Sequence, residues 1–266
     1  MLTLYGDYVR YHGVEIGIGG LIKLLGNFGI SEQAVRSAVS RMCSAGLLKA
    51  RHQGTKSYYA LTDEGLRLIK EGERRIFQRK GGNWNGYWSV VVYFVPEGQR
   101  EDRDELRQEL TWLGYGPLST ATWVSPHDLS KEVEELVNKL EIREFVQIFQ
   151  ARHLGFSNAE SIISRCWDLE RIHTRYADFI TEHRAKLDDY QRRTNNDEEI
   201  EPGEAFTERF KLIHEYRRLP YFDPDLPEEL LPKDWLRSKA SNMFYEYHDI
   251  LAEKANKYFD SVLKAY

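Results

Sequence analysis

Ser31-Glu32-Gln33-Ala34-Val35-Arg36-Ser37-Ala38-Val39-Ser40-Arg41-Met42, followed by Gly46-Leu47-Leu48-Lys49-Ala50-Arg51-His52-Gln53-Gly54-Thr55-Lys56-Ser57-Tyr58-Tyr59-Ala60-Leu61, is the stretch whose reading decides the fold. Wound as a helix, Gln33, Arg36, Ser37, Ser40, Arg41 and Ser44 fall on one polar face at i, i+3, i+4, i+7, i+8 and i+11, while Val35, Ala38, Val39 and Met42 form the apolar face. Ser31 is placed to cap that helix, with Glu32 in its first turn, and Gly46 is a natural terminator. Upstream, Leu21, Ile22, Leu24, Leu25 and Phe28 predict a preceding helix. The break Asn27-Phe28-Gly29-Ile30 leaves room only for a tight turn. Downstream, Leu47 to Arg51 and Ser57 to Leu61 predict paired strands joined by His52-Gln53-Gly54-Thr55-Lys56.

Helix, turn, helix and basic hairpin in this order predict a winged helix-turn-helix on double-stranded DNA. Side chains on the polar face of the second helix can donate to base edges, and cations on the hairpin lie against phosphates. The predicted DNA-facing set is Ser31, Gln33, Arg36, Ser37, Ser40 and Arg41 from the helix, with Arg51, His52, Lys56 and Ser57 from the hairpin.

Charge supports the same division. Residues 1–80 carry 13 Lys+Arg against 7 Asp+Glu, leaving 24 against 35 of the chain's 37 and 42 for the remainder. A basic head on an acidic body is the footprint of a nucleic-acid-binding segment joined to non-binding domains. With 266 residues, 16 Tyr, 12 Phe and 6 Trp, the chain can build several real cores. Its two cysteines, Cys43 and Cys166, offer neither a disulfide framework nor zinc spacing. Met1-Leu2-Thr3-Leu4-Tyr5-Gly6-Asp7 lacks a basic region followed by an apolar run, and the longest apolar stretch, around Trp88 to Val95, has strand length, so a cytoplasmic protein without membrane contact is expected. There is no phosphate-binding glycine loop, nucleophile elbow or metal-spaced His pair, and no catalytic or metal residue is assigned.

Thr62 is placed to cap a connecting helix through about Phe77, and Arg79-Lys80-Gly81-Gly82-Asn83 marks a hinge. Beyond it, strands at Trp88–Val95, Thr120–Val124 and Phe145–Gln150 alternate with helices at Arg100–Leu113 and Leu129–Leu140, predicting a ferredoxin-like α+β sandwich. From Asn158 the strands stop. Ile162, Cys166, Leu169, Ile172, Tyr176, Phe179, Leu187 and Tyr190 predict one long helix with a buried seam. A polar loop from Thr194 to Gly203 follows, then helices at Ala205–Arg218 and Ser238–Ala265 around a proline-interrupted segment, Leu219 to Pro232, expected as an ordered loop. The expected class is therefore α+β multidomain: a winged-helix domain over 1–80, a ferredoxin-fold domain over 84–155 and a helical domain over 156–266. Residues 1–80 are expected to keep weak, salt-sensitive DNA binding by themselves, with the Thr62–Phe77 helix as the lever to the rest.

Thr3-Leu4-Tyr5-Gly6-Asp7-Tyr8-Val9, Gly29-Ile30-Ser31-Glu32-Gln33-Ala34-Val35-Arg36, Trp88 with Tyr93, Trp123-Val124-Ser125-Pro126, His214-Glu215-Tyr216-Arg217-Arg218, Asp223-Pro224-Asp225-Leu226-Pro227 and Leu231-Pro232-Lys233-Asp234-Trp235 occur in that order. Together they resemble the PaaX family of transcriptional repressors across almost the whole chain. The resemblance implies a winged-helix domain, a central domain similar to the CRISPR protein Cas2, a helical C-terminal domain and a homodimer. It also implies repression of phenylacetate-degradation genes until phenylacetyl-coenzyme A releases the operator, with no cofactor. A relative tuned to another acyl-coenzyme A has the same sequence features, and a constitutive architectural DNA-binding protein is the second class. The Cas2 likeness raises a metal-dependent nuclease as the third. Such nucleases place an aspartate directly after the tyrosine ending the first strand, where this chain has Phe94-Val95-Pro96 after Tyr93.

The effector site is open at this level. His214, Tyr216, Arg217, Arg218 and Tyr221 cluster cations with aromatics that can clamp phosphates and an adenine ring. The same residues can instead tie the Asp223–Trp235 loop in place. Trp84, Trp88 and Trp123 either line an aryl pocket or fill a core.

Overall fold

The structure, a computed structural model, describes residues 1–12, 15–77 and 83–266. All of the expected hinge except Asn83 lies outside the described residues. The chain forms two compact units, each assembled from separate stretches: Met1–Gln78 with Asp178–Arg218 and Ser238–Tyr266, and Arg79–Ala177 with Leu219–Arg237.

The first unit opens with α1 (Leu2–Leu4), a π-helical segment Tyr5–Val9 and α2 (Arg10–His12). Next come β1 (Glu15–Gly17), α3 (Ile18–Gly26), α4 (Glu32–Ser44), β2 (Leu48–Gln53), β3 (Lys56–Leu61) and α5 (Asp63–Phe77). The strands form an antiparallel sheet in the order β1-β3-β2. Gln53 pairs directly with Lys56, so the hairpin turns on Gly54-Thr55 and its strands run further than the sequence indicates. Thr62 caps α5, its Oγ1 accepting from the Gly65 amide at 3.0 Å. A Cβ on Gly65 would stand 2.2 Å from the Leu47 carbonyl oxygen, so only glycine lets α5 start this close to the hairpin.

The remainder of this unit comes from the C-terminal half: part of α9 (Leu169–Asn195), α10 (Pro202–Tyr216) and nearly all of α12 (Arg237–Ala265). Its core is aromatic and draws on both ends of the chain. Tyr8 lies 5.1 Å from Phe206 and 5.2 Å from Phe259, and Phe28 lies 4.5 Å from Phe210, ring centre to ring centre. Arg209 of α10 pairs with Asp7 at 2.8 Å, sits over the Tyr8 ring at 5.0 Å and donates to His248 of α12 at 2.7 Å. Tyr8 is fully buried by this packing, while Tyr5 turns the other way and donates to the Tyr59 carbonyl of β3 at 3.2 Å, so the N-terminal segment joins the core of the C-terminal helices to the hairpin.

In the second unit β4 (Tyr87–Tyr93), α6 (Arg100–Leu113), β5 (Gly116–Ser119), β6 (Thr122–Ser125), α7 (Ser130–Lys139) and β7 (Val146–Arg152) follow in order. The sheet is antiparallel with strand order β5-β6-β4-β7, the ferredoxin-like arrangement. Alternation along β4 divides two cores. Val91 and Tyr93 join Trp123, Leu106, Leu110, Val133 and Val137 beneath α6 and α7, whereas Trp88 joins Val124, Ile162, Ile163, Cys166 and Leu226 beneath α8 (Ala159–Cys166). The single strand expected over Thr120–Val124 is a hairpin, with Pro117 tolerated because β5 is an edge strand.

Two further expectations are corrected. The long helix from Ile162 breaks at Trp167, whose backbone is extended, and Asp168 caps the restart by accepting from the Arg171 amide at 3.0 Å. The proline-rich segment contains α11 (Leu219–Phe222), with Pro220 in a first turn where no amide hydrogen is needed, and a 3-10 turn at Glu228–Leu230. Asp223 anchors this segment by accepting from Tyr176 Oη at 2.6 Å, Arg237 Nε at 2.8 Å and the Asp225 amide at 2.8 Å. Among the described residues no helix is long and apolar enough to cross a membrane.

Phe259 is fully buried in the aromatic core beside Tyr8. Phe259→Ala should therefore cost about 3–5 kcal/mol in denaturant unfolding of the full chain. A loss within the range of an ordinary surface substitution, roughly ±0.5 kcal/mol, would show that α12 is not part of that core.

Candidate nucleic-acid interface

α4 forms where the sequence places it because both ends are specified. The Ala34 amide donates to Ser31 Oγ at 3.3 Å, and Gly46, at φ +70°, turns the chain out in the left-handed region. Val35 and Val39 are buried, and Gln33, Arg36, Ser37, Ser40, Arg41 and Ser44 are all exposed on one face. Within that face the Arg36 Nε donates to Glu32 at 2.8 Å, one turn back, and Arg41 donates to Ser37 Oγ at 3.3 Å.

The hairpin cations are held more firmly than sequence reasoning indicates. Arg51 donates to the Glu15 carboxylate at 2.9 Å and to Gln53 at 3.0 Å, and its guanidinium lies 4.8 Å over the Tyr58 ring. Hydrogen bonding from Arg51 holds the Glu15 carboxyl below its ordinary value, and Glu15 correspondingly raises Arg51. Arg51 thus ties β1 to β2 across β3. Its partner was not visible in the sequence because β1 is only three residues long. His52 Nδ1 lies 3.0 Å from Ser57 Oγ, its cross-strand neighbour, and Lys56 reaches the Tyr266 carbonyl at 3.5 Å. Lys49, overlooked in the sequence, is exposed two residues before Arg51, and strand alternation puts it on that same face.

The residues suggested for an effector divide between the units. His214, Arg217 and Arg218 stand at the C-terminal end of α10, and Tyr221 belongs to the second unit, on α11, 5.0 Å from Trp112 and 5.2 Å from Phe222. Burial, then Arg217, the Met1 α-amino group and Arg218, push His214 below the ordinary imidazole value against an opposing Glu215. Burial and Arg218 likewise lower Arg217. The loop-tying role belongs instead to Arg237 and Tyr176. Trp88 and Trp123 face opposite sides of one sheet, so they fill two cores and do not line one aryl pocket.

After Tyr93, the position a nuclease would give to a metal-binding carboxylate is the exposed Phe94, and Glu97 is engaged by Arg103 at 3.0 Å. Among the described residues Glu182, His183 and Glu215 bring three potential ligand atoms within 4.8 Å of one another. Two of the three, His183 and Glu215, share a hydrogen bond of 2.7 Å.

Fold and surface define an α+β protein with a helix, turn, helix, hairpin head, a ferredoxin-like middle and a helical C-terminal part. Family models match all three in order: the PaaX-like protein model over residues 1–65, the PaaX central Cas2-like domain over 81–163 and the PaaX-like C-terminal domain over 167–261. The chain is also 31% identical over 257 residues to the transcriptional repressor PaaX of Escherichia coli strain K12, covering 95% of this chain and 79% of that one. The chain belongs to the PaaX family. Its fold is similar to that of the uncharacterized protein Rv0674 from Mycobacterium tuberculosis, with a TM-score of 0.61 at 23% identity over 98% of this chain and 95% of the other.

Arg51→Ala should bring the Glu15 carboxyl back up toward its ordinary value in a carbon-detected NMR titration. Because Glu15 is depressed in the folded state, its contribution is present above the unfolded carboxylate value and is lost as pH falls through the folded one. The variant should lack that acid-side loss, and an unchanged Glu15 titration would contradict the pairing.

Proposed function

We propose that this protein is a ligand-released transcriptional repressor that grips double-stranded operator DNA with a winged helix-turn-helix. The observation carrying this reading is the exposed face of α4, from Gln33 to Ser44, flanked by a hairpin bearing Lys49, Arg51, His52 and Lys56. In this reading α4 lies in the major groove and the hairpin is the wing against the phosphates. The DNA-facing set is Ser31, Gln33, Arg36, Ser37, Ser40 and Arg41 with His52, Lys56 and Ser57. Arg51 supports the wing through Glu15 and adds charge to it.

Magnitudes favour exchange of partners at Arg36. An exposed i,i+4 ion pair is worth about 0.3–0.5 kcal/mol, against about 1–3 kcal/mol of discrimination from a bidentate guanine contact. Arg36 can therefore leave Glu32 for a base at little cost.

The repressor named among the relatives supports extending repression to this chain. Phenylacetate catabolism genes as the target and phenylacetyl-coenzyme A as the effector are carried over from the sequence resemblance to the PaaX family. A homodimer would present two α4 helices to an inverted repeat with half-sites about one helical turn, or a multiple of it, apart. In this reading the Cas2-like middle domain is a scaffold and the protein catalyses no reaction.

Arg36→Ala should lose about 1–3 kcal/mol on operator DNA and relax preference at one base position, measured by fluorescence anisotropy on a set of single-base variants. Equal loss on random DNA would make Arg36 a phosphate contact. Lys56→Ala should weaken operator and random DNA alike and reduce the salt slope by about 1. In a gel-shift titration phenylacetyl-coenzyme A should release the operator and free phenylacetate should act poorly. Operator binding indifferent to every thioester would contradict a ligand-released repressor.

A further inference from the structure

The other two cations of α10 are paired, Arg209 with Asp7 at 2.8 Å and Lys211 with Glu208 at 3.2 Å. His214, Arg217 and Arg218 differ. They recur at i, i+3 and i+4 around the end of the helix, and among the described residues none has an ion-pair partner or a side-chain hydrogen bond. Cations at a helix C-terminus are favoured by its carbonyl dipoles, and that alone would explain one exposed arginine. It does not explain a half-buried Arg217 set beside the exposed Arg218 and His214 and the Met1 α-amino group, since burial and like-charged neighbours both disfavour its charged form. The cluster has the composition of an anion seat: two planar guanidinium forks, which match phosphate oxygens two at a time, and an imidazole that gains a proton as the anion arrives.

We propose that the C-terminal end of α10 is a phosphoryl-binding site in which His214, Arg217 and Arg218 take the phosphate groups of a small organic phosphate. Its assignment to the coenzyme A moiety of the effector rests on the function proposed above, whereas the anion seat itself does not. Arg217 and Arg218 supply the paired donors. His214 is the reporter: burial first, and then Arg217, the Met1 α-amino group and Arg218, depress its protonation against Glu215, and an anion between the two arginines offsets the repulsive part.

The test uses full-length protein with isotopically labelled histidines, the His214 signal being assigned with His214→Gln. Pyrophosphate, and separately coenzyme A, should move the His214 titration upward. Arg217→Gln/Arg218→Gln should abolish the shift and weaken coenzyme A binding by about tenfold or more, the loss expected when hydrogen bonds to a charged group are removed. Arg217→Lys/Arg218→Lys should retain part of both. On operator DNA the Gln variant should bind as the parent does but need correspondingly more thioester for release. Pyrophosphate and coenzyme A leaving His214 unmoved would overturn the proposal. So would a shift produced by duplex DNA and not by pyrophosphate, which would make these residues a DNA-backbone contact. A His214 response to both small anions in a protein whose DNA binding no thioester weakens would uphold the seat and remove the repressor reading.

Discussion

The ion pair between Asp7 and Arg209 constrains the whole first unit. Their side chains are only 18% and 7% exposed, so both charges have left most of their water, and each is tolerable only while the other stays in place. His248 of α12 closes the group, 3.3 Å from Asp7 and 2.7 Å from Arg209, and the Tyr8 ring lies under the guanidinium. Three stretches far apart in sequence are thereby fixed to one another: the N-terminal helix, α10 and α12. Asp7 and Tyr8 lie on the π-helical segment, an interruption of regular helix often found at functional positions.

Under the proposed function this packing alters how a signal would reach DNA. A basic head joined to its body only through α5 would need a lever. Here the α3–α4 pair rests on α10 through Phe28 and Phe210, and the end of α12 reaches the hairpin through Tyr266 and Lys56. Under the proposed function, a ligand at the end of α10 acts on an element already packed against the DNA-facing motif. It needs only to favour one arrangement of α10 over another, and the effect on DNA affinity is then limited by that preference.

The sequence was most legible where local chemistry is strongest. Ser31, Gly46 and Thr62 mark the ends of α4 and the start of α5 because caps and left-handed turns demand those residue types, and the polar face of α4 is exposed as its spacing indicates. Alternating strands and helices likewise carried the ferredoxin-like order. What stayed hidden depends on partners distant in sequence or on elements too short to have a period. β1 has three residues, so Arg51 looked available for phosphate while Glu15 in fact holds it. The break at Trp167 keeps the seam spacing on both sides, leaving Asp168 as its sole local sign. No periodicity in residues 1–80 announces that Tyr8 will pack on Phe206 and Phe259, and this is why the head looked separable.

The α3–α4 pair and the C-terminal helices α10 and α12 form one compact unit, and its cooperativity is the property on which the rest depends. Native-state hydrogen exchange reads this directly, since amides that open together share one opening free energy and one dependence on denaturant. The slowest amides of α3 and α4, at Leu24 and Val39, should merge with those at Phe206 and Phe259 into one opening. Leu24 and Val39 opening at a distinctly lower free energy, while α10 and α12 stayed closed, would contradict it.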